Sequence, residues 1–159
     1  MEISLSDADI RRFGLNVLDY NGLEGMNEAG LLRKLPLVLL YLNKIDSGHW
    51  VLIHRTPEGI EFFDSYSYKP DTEFAFIPEE MQKPKKLAML LCEIIKHTPI
   101  SYNQYQFQEK KAGVNTCGRH CIMRQMFSGV GIDDYKNGVD KVCRDRGINA
   151  DELSVFITS

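Results

Sequence analysis

The pattern of apolar and polar residues along the chain predicts a helix, three strands, a second helix, a further strand and three closing helices. Ser6 to Asp9 resembles a capping box, and the helix that it opens brings Ile10 and Phe13 onto one side. A turn-rich stretch follows at residues 21–30. Leu37 to Leu42 is a continuous apolar run, which is typical of a strand buried on both faces.

The next two apolar segments predict a β-hairpin. Trp50 to His54 and Ile60 to Phe63 flank the turn residues 56–59. If the turn is centred between Pro57 and Glu58, Arg55 pairs with Ile60, and the same register places residue 51 opposite residue 64 and residue 49 opposite residue 66. An odd-length turn would reverse the faces.

The second half of the chain is mainly helical in its pattern. Lys83 to His97 has apolar residues at helical spacing, and Tyr102 to Gln108 alternates as a strand does. A loop at 109–116 leads into a helix that begins at Cys117. Asp133 to Arg146 and Asn149 to Phe156 are predicted as the last two helices, the first ended by Gly147 and the second capped by Asn149.

This order of elements predicts an α+β fold with a central, mainly antiparallel β-sheet flanked by helices. The 159 residues, 43% of them hydrophobic, are enough for one well-filled core. We therefore expect a single domain over residues 1–159.

Charge and cysteine content limit the classes of partner. The net charge of -3 is too balanced for binding to nucleic acid or membrane by bulk electrostatics, and the longest apolar run, Leu35 to Leu42, is too short to span a bilayer. No secretion signal is evident, so we expect a soluble, monomeric protein in a reducing, intracellular compartment with its four cysteines unpaired.

Cys117 is the leading candidate for chemistry. The small-residue loop Gly113 to Thr116 runs directly into an apolar, helix-like segment, which places Cys117 in the first turn of a helix. The unpaired N–H groups and the positive end of the helix dipole favour a thiolate there, the form of cysteine that attacks carbonyl groups.

A cysteine nucleophile needs a base, and His49 is the best candidate among the four histidines. In the predicted hairpin register His49 and Asp64 are diagonal neighbours on one face, about 7–8 Å apart at the backbone, while His54 falls on the opposite face. His97 is explained by the end of its helix. His120 shares the helix of Cys117 and is expected to point away from its open end.

An oxyanion hole needs a hydrogen-bond donor beside the nucleophile. The backbone N–H of Cys117 is one donor. The side-chain amide of Gln104, Gln106 or Gln108 can supply another, since all three have the same parity on the predicted strand. Alternation alone does not choose among the three.

The remaining cysteines indicate no metal site. Cys121 lies one helical turn after Cys117 and is expected in the core as a small apolar residue. Cys92 and Cys143 stand alone, so a zinc site built on Cys117, His120 and Cys121 lacks the second ligand pair of structural zinc motifs. We expect no metal and no required cofactor.

Four segments in consistent order resemble the adenain-like and Ulp1-like cysteine proteases, and look closest to the maturation proteases of viruses, virophages and Polinton-type elements. They are Gly48-His49-Trp50, Phe63-Asp64-Ser65-Tyr66, Tyr102-Asn103 ahead of Gln108, and Asn115-Thr116-Cys117-Gly118-Arg119-His120-Cys121. The segment between Gln108 and Cys117 is longer than is usual in that family.

The resemblance implies a papain-like or adenain-like fold in which Cys117 is the nucleophile, His49 the base, Asp64 the orienting acid and Gln108 the oxyanion donor. It also implies that Trp50 and Gly118 shape the site. Cleavage would follow small residues such as paired glycines in viral capsid or core precursors, in the host cytoplasm or virus factory or inside the virion.

The resemblance also brings a precedent for a peptide or DNA activator, which the sequence supports only through the basic cluster Lys83, Lys85 and Lys86.

Three alternative functions stay open. They are a protease that removes ubiquitin-like modifiers, a catalytically inactive binding domain of the same fold, and a metal or redox protein that uses Cys117 and Cys121.

Overall fold

A computed structural model describes residues 4–44, 47–71 and 90–159. Six α-helices, five β-strands and one 3-10 helix occur in these residues. In chain order the elements are α1 (Asp7–Arg12), β1 (Asn16–Asp19), the 3-10 helix (Tyr20–Leu23), α2 (Glu28–Arg33), β2 (Leu37–Lys44), β3 (Ser47–Thr56), β4 (Gly59–Phe63), α3 (Leu90–Ile95), β5 (Ile100–Tyr102), α4 (Cys117–Met126), α5 (Ile132–Arg146) and α6 (Ala150–Ile157).

The five strands form one mixed sheet in the order β1-β2-β3-β4-β5. The two central pairs, β2 with β3 and β3 with β4, are antiparallel. The two outer pairs, β1 with β2 and β4 with β5, are parallel. The α+β class is thus confirmed, while the prediction of a mainly antiparallel sheet holds for the three central strands and is wrong at both edges.

Helices cover both faces of the sheet, and each face has its own apolar core. One core joins Trp50 and Leu52 of β3 to Ile10 of α1 and Ile122 of α4. The other joins Val51 of β3 to the 3-10 helix, α2 and α3. Because successive side chains of a strand point to opposite faces, the continuous apolar run of β2 and β3 supplies both cores at once.

Local sequence signals account for the helix ends. Ser6 and Asp9 form the predicted capping box of α1, and Asn149 forms another with Glu152 at the start of α6. Gly147 ends α5 with φ of +65°, the left-handed conformation that glycine adopts without a steric penalty. These three predictions are confirmed.

The hairpin register is also confirmed. Arg55 pairs with Ile60 and Leu52 with Phe63, so the turn contains two residues, as the even-length prediction required. The ladder stops at Phe63. Continuing the same register past the end of β4 brings Tyr66 opposite His49.

Two stretches differ from the prediction. Residues 21–30, predicted to be turn-rich, contain most of the 3-10 helix and the start of α2, and the preceding strand β1 was not predicted. The strand predicted at Tyr102 to Gln108 is wrong, because β5 ends at Tyr102. From there the side chain of Asn103 binds the backbone of Asp64, and the N–H groups of Phe107 and Gln108 both donate to the Ser65 carbonyl, so no regular ladder continues.

The helix predicted at Lys83 to His97 is present as α3 from Leu90, and its earlier part lies outside the described residues together with the cluster Lys83, Lys85 and Lys86. Within the described residues, each helix is too short or too polar to span a lipid bilayer.

Candidate active site

Cys117 is the first residue of α4 and is 7% exposed. Its sulfur accepts a hydrogen bond from the backbone N–H of Trp50 at 3.5 Å, at a point of β3 where the ladder with β4 has already ended. Thr116 precedes it as the N-cap residue but makes no side-chain cap. The first-turn N–H groups of α4 are therefore left without a side-chain acceptor, as a site for a developing negative charge requires.

His49 joins Cys117 to a buried carboxylate. Its Nε2 lies 2.8 Å from Oδ1 of Asp64, and the Cys117 side chain is near enough to contribute to the raised pKa of the ring. Since Nε2 faces Asp64, Nδ1 is the ring nitrogen left for Cys117. The predicted contact between His49 and Asp64 is confirmed, and it follows from the hairpin register.

The electrostatics of this group favour a charged imidazole. Burial disfavours the imidazolium form, but the negative charge and hydrogen bond of Asp64, with a smaller contribution from Cys117, raise the pKa of His49 well above its ordinary value. At neutral pH an imidazolium therefore lies beside Cys117, the arrangement in which a thiolate is stabilised.

Asp64 is fully buried and is held by backbone and side-chain contacts on three sides. Oδ1 accepts the N–H of Tyr66 at 2.8 Å as well as the bond to His49. Asn103 accepts the Asp64 N–H at 2.9 Å and donates to the Asp64 carbonyl at 2.8 Å. The Asn103 amide thus takes the place of a neighbouring strand, which ends β4 and fixes the direction of the carboxylate.

Gln108 is the buried member of the three candidate glutamines. It is 2% exposed, while Gln104 and Gln106 are exposed. Ser65 donates to Oε1 of Gln108 at 2.6 Å, and Nε2 of Gln108 donates to the Val114 carbonyl at 3.1 Å. These bonds fix the orientation of the amide and use one of the two Nε2 hydrogens.

A buried histidine beside a carboxylate is not by itself specific, because the described residues contain three such pairs. His54 lies 2.9 Å from Glu61, and His120 lies 2.8 Å from Asp151. Both histidines are fully buried. Of the three, His49 is the one whose pKa is raised by a neighbouring cysteine.

The pair of His54 and Glu61 belongs to a network on the face of β3 that carries Trp50. Arg124 of α4 donates to both oxygens of Glu61, at 2.9 and 3.3 Å, and His54 is bound to Gln125 at 2.8 Å. Burial disfavours the charge of Glu61, but its bonds to His54 and Arg124 lower its pKa below the ordinary value. This network attaches α4 to the hairpin that carries His49.

The pair of His120 and Asp151 belongs to a second network on the other side of Cys117. Oδ1 of Asp151 accepts the Thr116 hydroxyl at 2.6 Å and the His120 Nε2–H at 2.8 Å, and Oδ2 accepts the backbone N–H of Glu109 at 3.0 Å. His120 is therefore turned away from the nucleophile, as predicted.

Trp50 and Gly118 pack against each other beside the nucleophile. A Cβ atom at position 118 would lie 3.2 Å from Cδ1 of Trp50 and 3.5 Å from Ile10. The distance to Trp50 is shorter than an ordinary van der Waals contact. A residue without a side chain therefore lets α4 approach β3 closely at the point where Trp50 binds the Cys117 sulfur.

The other three cysteines have ordinary surroundings. Cys121 is fully buried, and its thiol donates to the Trp50 carbonyl at 3.5 Å. Burial raises the pKa of Cys121 well above its usual value, which confirms its prediction as a core residue. Cys92 and Cys143 are half-buried free thiols. Within the described residues, no three side chains of His, Cys, Asp or Glu are grouped as metal ligands.

Sequence reasoning missed several residues that build the site. Asn103, Ser65 and Tyr66 lie in segments that the resemblance includes, but none was given a role. Their contacts depend on the irregular path of residues 103–108, which alternation concealed. Asp151 was read only as part of a helix start, and no local signal connects it to a loop far away in sequence.

No protein-family model matches the chain. The chain is similar to the protein called "Uncharacterized protein V9" of Sputnik virophage, with 34% identity over 127 residues, which is 76% of this chain and 71% of V9. Identity and coverage at this level show that the chain belongs to the family of Sputnik virophage protein V9.

Proposed function

We propose that the chain is a cysteine endopeptidase with an adenain-like, papain-like site. The observation that carries the proposal is the position of His49, whose Nε2 lies 2.8 Å from the buried carboxylate of Asp64 and whose pKa is also raised by the neighbouring Cys117 at the start of α4. A helix N-terminus, an imidazolium and a backbone N–H then all stabilise negative charge at one sulfur.

The proposed reaction begins with the Cys117 thiolate, which attacks the carbonyl carbon of a peptide bond and forms a C–S bond. The negative charge moves to the carbonyl oxygen, where the Cys117 N–H and the remaining Nε2 hydrogen of Gln108 are the proposed donors. His49 then gives its Nδ1 proton to the leaving amine as the C–N bond breaks.

Water completes the cycle. His49, now neutral, takes a proton from the water that attacks the acyl-enzyme, and the C–S bond breaks to return the thiolate and the imidazolium. Asp64 keeps its charge throughout. It orients the ring through Nε2 and stabilises the imidazolium, which is the role of the carboxylate in a triad of this kind.

We propose peptide bonds after small residues, such as paired glycines, as the substrate, and capsid or core precursors of a virus as the source. The sequence resemblance supports the cleavage site, and the virophage relative supports the viral context. A protease for ubiquitin-like modifiers is the competing proposal for the same site, and an inactive binding domain is the second alternative.

The test compares the wild-type chain with Cys117→Ala on a peptide library that includes Gly-Gly sites and on vinyl-sulfone probes of ubiquitin-like modifiers. We expect wild-type cleavage after small residues, none by Cys117→Ala, and no modifier adduct. A Cys117 adduct with a modifier probe would favour the competing protease. Absence of turnover, with Cys117 no more reactive to iodoacetamide than Cys143, would favour the binding domain. Full activity of a folded Cys117→Ala protein would refute the proposal.

A further inference from the structure

Asp151 holds together the two ends of the loop that separates Gln108 from Cys117. The loop at 109–116 begins directly after Gln108 and ends directly before Cys117. The two oxygens of the one Asp151 carboxylate bind its two ends, the N–H of Glu109 and the hydroxyl of Thr116. The same carboxylate also binds His120, one turn into α4.

Apart from Asp151, the loop is held by the bond from Gln108 Nε2 to the Val114 carbonyl and by Lys110, which lies over the rings of Tyr66 and Tyr68. Its own backbone hydrogen bonds are short-range ones, from Lys111 to Glu109 and from Val114 to Lys111, and residues 109–113 are exposed. Ordering an exposed loop opposes folding, because its backbone loses conformational entropy. Asp151, by contrast, is 3% exposed and Thr116 and His120 are fully buried, so the closure is a buried, rigid contact.

The charge of Asp151 is suited to three donors. Burial disfavours the carboxylate, but the hydrogen bonds from His120, Thr116 and the Glu109 N–H lower the pKa of Asp151 below its usual value. Among the described residues Nδ1 of His120 has no hydrogen-bond partner, so Nε2 is the ring nitrogen that donates to Asp151. All three groups therefore donate to one acceptor.

We propose that Asp151 is a positioning residue of the peptidase, which sets the distance between the Gln108 amide and the Cys117 backbone N–H. The inference rests on the proposed function and adds a residue to it from α6. A displacement of about 1 Å between groups that bind one transition state can reduce the rate on the order of a hundredfold.

Asp151→Asn tests this role with little change in shape. The amide accepts at one atom and donates at the other, so either the Glu109 N–H or the pair of Thr116 and His120 loses its acceptor. We expect kcat to fall roughly 10- to 100-fold with little change in KM. Alkylation of Cys117 by iodoacetamide at pH 7 should fall by a smaller factor than kcat, because the contact of His49 with Asp64 is unchanged.

Glu61→Gln is the matched control, since Glu61 is also a buried carboxylate bound to a histidine and to α4. It should lower the melting temperature and leave amide exchange at residues 109–117 unchanged, so it separates a loss of stability from a loss of the contacts that hold this loop. Thr116→Val removes one donor to Asp151 and keeps the side-chain shape, so it should lower kcat by a smaller factor. This milder variant serves if Asp151→Asn does not fold.

Amide hydrogen exchange provides a readout that is independent of turnover. Residues 109–117 should exchange faster in Asp151→Asn than in wild type and in Glu61→Gln. An unchanged kcat in Asp151→Asn would overturn the inference. So would a fall in kcat that the alkylation rate of Cys117 matches and that is the same in Asp151→Asn and in Glu61→Gln. A wild-type chain without turnover would instead overturn the proposed function, and the exchange data would still show whether Asp151 closes the loop.

Discussion

The rings of His49 and Tyr66 are stacked, with their centroids 4.7 Å apart and their planes inclined by 14°. The ladder of β3 and β4 ends at the pair of Leu52 and Phe63. Extending its register beyond that pair places His49 and Tyr66 opposite each other. Tyr66 therefore forms one wall of the site and limits rotation of the imidazole, while its backbone N–H binds the same Asp64 oxygen as His49.

Replacing Tyr66 by alanine should lower kcat/KM about tenfold, because the His49 ring loses a packing surface while the backbone bond to Asp64 remains. Tyr66→Phe keeps the ring and should stay within about twofold of wild type. The measurement is steady-state hydrolysis of a peptide that the wild-type protein cleaves. Equal losses in the two variants would show that the hydroxyl matters and the ring contact does not.

Asp64→Asn should reduce kcat by a factor on the order of 10² to 10⁴, because a neutral amide neither stabilises the imidazolium nor fixes the tautomer. Without the carboxylate, the pKa of His49 should fall. Iodoacetamide should then label Cys117 at pH 6 to 7 more slowly in Asp64→Asn than in wild type.

Cys143 is the internal reference in this experiment, because burial, with a contribution from Asp140, raises its pKa and keeps it slow at these pH values. Mass spectrometry of each cysteine-containing peptide gives both rates in one sample. If iodoacetamide labels Cys117 at the same rate in Asp64→Asn and in wild type, the carboxylate of Asp64 does not activate the thiol.

The raised pKa of His49 also predicts how stability depends on pH. A group whose pKa is higher in the folded state stabilises the protein fully below its unfolded value, about 6.5, and this contribution is lost as pH rises through the folded value. The Cys117→Ala protein removes the titrating thiol but keeps Asp64. The free energy of unfolding of Cys117→Ala should be greater than that of Cys117→Ala/His49→Gln. This difference should be largest near pH 6 and should decrease toward pH 9. Chemical denaturation at several pH values measures this, and a difference that grows with pH would have the wrong sign.

Glu61→Ala should destabilise the chain by about 3–5 kcal/mol, because it leaves the fully buried Arg124 guanidinium without its carboxylate. The double variant Glu61→Ala/Arg124→Met should cost less than the two single changes together, since no buried charge remains unpaired. Urea unfolding gives the three values. The exposed pair of Lys141 and Asp145 is the contrast, where Asp145→Ala should have little effect.

Local signals were enough to predict the hairpin and the start of α4. Residues 56–59 fixed the turn, the turn fixed the register, and the register brought His49 and Asp64 together. The burial of Cys121 and the direction of His120 away from Cys117 followed in the same way from helical spacing.

What could not be predicted depends on side chains that replace regular backbone pairing. Asn103 takes the place of a strand beside Asp64, so the alternating residues after Tyr102 do not form one. The parallel edge strand β1 is short and half-exposed, and its partner β2 is distant in sequence. Asp151 reaches Glu109 and Thr116 through tertiary contacts, which no periodicity in the sequence records.

The position of Asp151 in α6 sets an order of events during synthesis of the chain. The hairpin with His49 and Asp64 is made first, then the helix with Cys117, and α6 only afterwards. If Asp151 closes the loop as proposed, the nascent chain has its nucleophile and base before it can hold an oxyanion. Full hydrolytic activity then requires the docking of α6, the last helix of the described chain to be synthesised.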